Sequence, residues 1–259
     1  MSEADDTFDA LVRQHYPKAV TQTKFKEKVQ ADLPKHPFRQ DKVLLVTSVC
    51  ADDIVAENES KHGANERCPT SSIRKGLEND FLGPFSMGGL AGLPYSGLTG
   101  MKTVGSHIPD GGSVLVAYGP HIGLSDEGVL GNLQRPGKQE MSHACGALLQ
   151  ALEHFESSPD YQPADNDDDV EQMNLERRLL PYRPCILGAK KGPPRLKEAT
   201  GCAYNIIHGL IDRYLYIQKA AFSKCEYVVL VGGIIINTSP CHEDYIDVRH
   251  LSVRRPDEL

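Results

Sequence analysis

The chain has 259 residues, 40% hydrophobic and 24% charged, enough to bury a sizeable core, and is read as a single domain over 1–259. A formal net charge of −7 argues against a general nucleic-acid binder, which needs a basic face for phosphate. No apolar stretch approaches the roughly 20 residues that span a bilayer, so no membrane association is expected.

The start, Met1-Ser2-Glu3-Ala4-Asp5-Asp6, is acidic and lacks the character of a secretory or transit peptide. With seven cysteines at irregular spacing, which read as reduced thiols, the expected compartment is cytoplasmic or, for a chain without its targeting segment, plastid. Residues 5–35 carry helical patterns at Phe8, Leu11 and Val12, then Phe25 and Val29, so 1–40 is read as a peripheral helical layer. The run Val43 to Val49 predicts a short buried strand ending on Cys50-Ala51-Asp52-Asp53, and 53–80 is polar.

Residues 88–100 are dense in glycine, but they hold no G-x-G-x-x-G, and Met101 stands where a Walker lysine would need a preceding glycine. A tight loop that packs its backbone against a neighbouring site is the better reading. A second apolar run over 113–118 predicts a strand that ends on Gly119-Pro120-His121, followed by a Gly-, Asp- and Pro-rich loop to about 139. Spacing of Met141, Ala144, Cys145, Leu148, Leu149, Leu152 and Phe155 predicts a helix over 140–156. An exposed acidic loop is expected over 157–170, helices near 169–180 and 196–222, and a short strand at Pro184–Gly188 between them. The strongest strand signal is Glu226 to Asn237. Strands alternating with helices make the fold class α/β, with a mostly parallel central sheet flanked by helices.

Cys50 and His121 thus lie just past the carboxyl ends of two expected parallel strands, where open α/β sheets build their sites. Cys145 follows in the first turns of its expected helix, where amide dipoles favour a thiolate. Two Cys and one His suit Zn²⁺ with a fourth position open. The same residues would also serve as a Cys–His nucleophile pair. Cys68 is an alternative to Cys50, although no strand holds it. His107 and His143 lie near these motifs and are equally compatible with structural roles.

Several segments together resemble the limiting-CO₂-inducible B protein family, also described as theta-type carbonic anhydrases. They are Thr47-Ser48-Val49-Cys50-Ala51-Asp52-Asp53, Phe85 to Pro94, Ser106 to Gly112, Tyr118-Gly119-Pro120-His121-Ile122-Gly123, Ala144-Cys145-Gly146 and, as the family's closing strand, Gly232 to Asn237. The resemblance implies a beta-carbonic-anhydrase-like fold, a homodimer, and Zn²⁺ held by Cys50, His121 and Cys145. It further implies CO₂ and bicarbonate as substrate and product, with a hydroxide made available near neutral pH. Asp52 resembles the carboxylate that beta-type enzymes pair with an arginine. Family members carry Asn-Arg shortly after this motif, where Val55-Ala56 stands here. The displaced segment Ile73 to Glu78 makes Arg74 the expected partner of Asp52, or Lys75 with loss of the two-pronged geometry. Because members differ in whether they hydrate CO₂, the alternative is a silent zinc-binding protein acting through partners in inorganic-carbon handling.

Overall fold

A computed structural model describes residues 3–32, 40–52, 81–135, 138–239 and 242–259. The parallel core is built from segments too apolar to face water on either side. Strands β2 (Val43–Ser48), β4 (Ser113–Tyr118) and β8 (Val228–Thr238) are buried along their whole length, as parallel strands covered on both faces must be. With β1 (Val20–Thr21), β3 (Leu82–Ser86), β5 (His121–Leu124) and β9 (Tyr245–Arg254) they form one seven-stranded sheet. Its order is β1-β9-β8-β4-β2-β3, with β5 paired to β8 beyond the end of β4. Strands β3, β2, β4 and β8 run parallel, as do β5 and β8, while β9 and β1 add an antiparallel edge. The α/β class and the mostly parallel sheet are as the sequence predicts.

Two N-terminal helices, α1 (Glu3–His15) and α2 (Gln22–Asp32), occupy the region expected to be helical, and Phe8, Val12, Phe25 and Val29 are buried. Helix α3 (Gly97–His107) connects β3 to β4. Helices α4 (Gly146–Ser157), α5 (Val170–Leu179), α6 (Arg183–Gly188) and α7 (Pro193–Ile217) lie between β7 (Met141–His143) and β8. Helix α7 opens on Pro193, a residue suited to a first turn. It buries Leu196, Ala199, Ala203, Ile207, Leu210, Ile211 and Leu215 at the spacing of one helical face. Residues 158–169 lie outside the helices and are largely exposed, as expected.

Three expectations are corrected. Residues 141–143 do not begin the helix; they form β7, antiparallel to β6 (Asn132–Gln134), and α4 starts at Gly146. Pairing with β6 overrides the helical spacing there, and Met141 is 45% exposed. Pro184–Gly188 is helical, because Pro184 presets the first turn of α6 and only Ile186 is buried. Finally, the strand containing Gly232–Asn237 does not close the sheet, since β9 follows it. The alternation that would announce β9 changes phase: Gly233 pairs with Val248 and Gly232 with His250, so Arg249 is an extra residue in the ladder.

One close approach fixes the chain between β4 and β5. Gly119 has φ +154°, and a Cβ there would meet the Gly233 carbonyl oxygen at 1.7 Å. Gly119→Ala is therefore expected to destabilise the protein by about 1–3 kcal/mol, read from the denaturant midpoint. Gly209, exposed in mid-α7 with no atom near its Cβ position, gives the opposite sign: Gly209→Ala should stabilise by about 1 kcal/mol.

Candidate metal centre

Strands β2 and β4 are neighbours in register, Ser48 opposite Tyr118, and they deliver their following residues to one point above the sheet. Cys50 comes two residues after β2, and His121 is the first residue of β5, three after β4. The glycine segment presses on both turns. A Cβ on Gly88 would meet the Val49 carbonyl oxygen at 2.2 Å, and one on Gly92 would meet that of Gly119 at 2.4 Å. Ser48 Oγ donates to the Gly92 carbonyl, and the Ala51 amide donates to that of Gly89. The amides of Gly89, Gly92, Gly97 and Gly100 are spent on carbonyls within the segment. This is a packing loop, as expected, with no phosphate cradle.

Cys145 arrives from the far side, two residues after β7, as the N-terminal cap of α4 with extended φ/ψ of −89° and 128°. It therefore stands just before the helix, one step short of the first turns that the sequence predicts for it. The Ala144 backbone fixes its approach, donating to the Gly131 carbonyl and accepting from the Gly123 amide, two residues past His121.

Cys50, His121 and Cys145 are all buried, and one donor atom from each lies within 4.8 Å of the other two. The sulfurs are 3.9 Å apart. Two thiolates on a tetrahedral ion at about 2.3 Å would stand about 3.8 Å apart. His121 Nδ1 is 2.7 Å from Asn237 Oδ1 and, facing a carbonyl-type acceptor, carries the proton. Its Nε2 is buried without a hydrogen-bond partner. Burial of an unsatisfied ring nitrogen is costly, and a cation between the three donors would satisfy it. The donor set fits a metal ion.

Contact with the Cys50 sulfur and with the Leu148 and Ala147 amides holds the Cys145 thiol below its ordinary value. The Cys50 thiol is pushed up by its contact with the Cys145 sulfur and by burial. Metal binding competes with protons for the thiols, so affinity falls as pH falls.

Asp52 lines the more open side. Its Oδ2 is 3.9 Å from His121 Nε2. Arg135 Nη1 and Nη2 each donate to one carboxylate oxygen at 3.0 Å, a two-pronged pair about 15–18% exposed. Sequence reasoning misses Arg135, since it lies 83 residues from Asp52 in a loop without a distinctive pattern. Arg74, Lys75 and Cys68 lie outside the described residues. His107 Nδ1 donates to the Thr103 carbonyl of its own helix, and His143 pairs with Asn132 across β6 and β7; both are exposed. Asn237, behind His121, reads in the sequence only as part of a strand.

Residues 19–255 match the family of limiting CO₂-inducible proteins B/C beta carbonic anhydrases. The crystal structure of PtLCIB4, a homolog of the limiting CO₂-inducible protein LCIB, is similar at 26% identity and TM-score 0.84, covering 96% of this chain and 97% of that one. A point mutant of PtLCIB4 gives 27% and 0.76, with 96% of each chain covered. LCIB itself, at 19% identity and TM-score 0.65 over 93% and 92% of the two chains, shares the fold. No curated protein matches the sequence.

Cys50→Ala, His121→Ala and Cys145→Ala are each expected to cut bound metal to below about a tenth of the parent's, measured by elemental analysis after gel filtration. Full metal in Cys50→Ala together with loss in Cys68→Ala would move that ligand role to Cys68.

Proposed function

The chain belongs to the limiting CO₂-inducible protein B/C family of beta carbonic anhydrases, and from that premise we propose that it is a zinc carbonic anhydrase hydrating CO₂ reversibly to bicarbonate. The observation that carries this reading is a buried Cys₂His donor set with a fixed carboxylate at its open side. Three protein donors leave a fourth position free, as a catalytic zinc site requires. Zinc held there would supply the Lewis acidity that makes hydroxide available near neutral pH.

The protein's own groups divide the remaining work. Cys50, Cys145 and His121 Nε2 would hold the ion through three buried donors and leave its fourth position to the nucleophile. Asp52 accepts a hydrogen bond from the nucleophile and so orients its lone pair toward CO₂. Arg135 grips both oxygens of Asp52, which keeps the carboxylate an acceptor and prevents it from taking the fourth position itself. Lysine would keep the charge but lose the two-pronged hold. Arg135, not the Arg74 expected from sequence, is the partner of Asp52 among the described residues.

Like the beta-type enzymes that the family resembles, the chain is proposed to act as a homodimer. Tyr216 and Ile217, 63% and 46% exposed at the end of α7, are apolar surface suited to such an interface. No helix among the described residues is long and apolar enough to cross a membrane. The proposed setting remains the cytoplasm or plastid.

Stopped-flow CO₂ hydration by the zinc-loaded protein tests the assignment, and rates no higher than buffer would contradict it. Asp52→Asn should keep the metal yet lose about 10²-fold or more in rate, because the amide lacks the carboxylate's charge. Arg135→Ala should depress the rate and Arg135→Lys recover part of it. On assembly, sedimentation at micromolar concentration is expected to give twice the chain mass; a single-chain mass would rule out the dimer.

A further inference from the structure

Behind the imidazole runs a polar chain that no part of the proposed reaction uses. Asn237, fully buried near the end of β8, presents its Oδ1 to His121 Nδ1 at 2.7 Å. Its Nδ2 donates to Asp244 Oδ2 at 3.0 Å, and the other Asp244 oxygen accepts from the Thr238 amide at 3.0 Å. Thr238 Oγ1 donates to the His242 and Glu243 carbonyls, each at 3.1 Å, which ties this turn down.

The geometry points to Asp244 as a positioning residue that dictates, through Asn237, which nitrogen of His121 is free to bind metal. An amide can turn over, because its two ends are nearly the same size. A carboxylate cannot donate when ionised. Asp244 therefore accepts only the amide's N–H end, and the carbonyl end must face His121. Nδ1 must then carry the proton, and Nε2, the nitrogen without a partner, keeps its lone pair for the metal. The polarity originates at the Thr238 backbone amide, which is a donor whatever the side chains are.

This inference rests on the reading that Cys50, His121 and Cys145 form a metal site. It extends that reading to residues outside the donor set.

Asp244→Asn reverses the chain without removing it. The new amide oxygen must face the Thr238 N–H, so its NH₂ faces Asn237. Asn237 then turns, and its own NH₂ meets His121 Nδ1. The imidazole proton moves to Nε2 and occupies the metal-binding nitrogen. Asn237→Asp combined with Asp244→Asn restores the original polarity, since an acceptor again faces Nδ1.

The experiment uses the full chain and zinc alone as the probe. Affinity is measured by competition with a chromophoric chelator, and the His121 tautomer is read from ¹⁵N chemical shifts of the metal-free protein. Asp244→Asn is expected to weaken zinc binding about 10–100-fold and to show the Nε2–H tautomer. The double variant is expected to regain the Nδ1–H tautomer and to bind more tightly than Asp244→Asn. Parental affinity and an Nδ1–H tautomer in Asp244→Asn would overturn the proposal, as would failure of the double variant to restore the tautomer. Absence of zinc binding in the parent would instead overturn the metal-site reading, while the tautomers still decide the role of Asp244.

Discussion

Two thiols and an imidazole nitrogen without a hydrogen-bond partner are buried together, and the surrounding fold is arranged around that constraint. Buried polar atoms are tolerated when they have partners. His121 Nε2 has no hydrogen-bond partner, and the Cys50 sulfur lies against that of Cys145. A cation resolves all three at once. The parallel strands β2 and β4 aim two of the donors, and the glycine segment presses the turns after both strands into close backbone contact. The third donor comes from outside the sheet, held by backbone hydrogen bonds of Ala144 to Gly123 and Gly131.

The hairpin of β6 and β7 joins two roles. Arg135 follows its first strand and Cys145 lies just past its second, so one small element supplies both the cation gripping Asp52 and a metal donor. The resemblance read in the sequence implies an arginine from close after the first cysteine. Here the described pairing reaches across 83 residues instead. A change in the hairpin would thus disturb the carboxylate and the third donor together, whereas on the buried side of the site His121 opens β5 and its support comes from Asn237 on β8 and Asp244 in the turn that follows.

Much of this was legible in the sequence, for physical reasons. Buried parallel strands read as continuous apolar runs, so β2, β4 and β8 were visible, and with them the places of Cys50 and His121. Cys145 was visible through its family segment, although helical spacing hid the strand before it. Strand β9 was obscured by the bulge at Arg249, which breaks its alternation. Arg135 and Asp244 were illegible for a different reason. Their roles depend on contacts with Asp52 and Asn237 that only the tertiary fold creates, and neither residue stands in a repeating pattern.

The most direct test of a Cys₂His metal site with an open position is the absorption spectrum of the Co²⁺-substituted protein during titration with bicarbonate. A Cys₂His site with an open position gives thiolate-to-cobalt charge-transfer bands with the d–d bands of a tetrahedral ion, and a shift of those d–d bands as bicarbonate is added. A spectrum without thiolate bands, or tetrahedral bands that bicarbonate leaves unchanged, would contradict it.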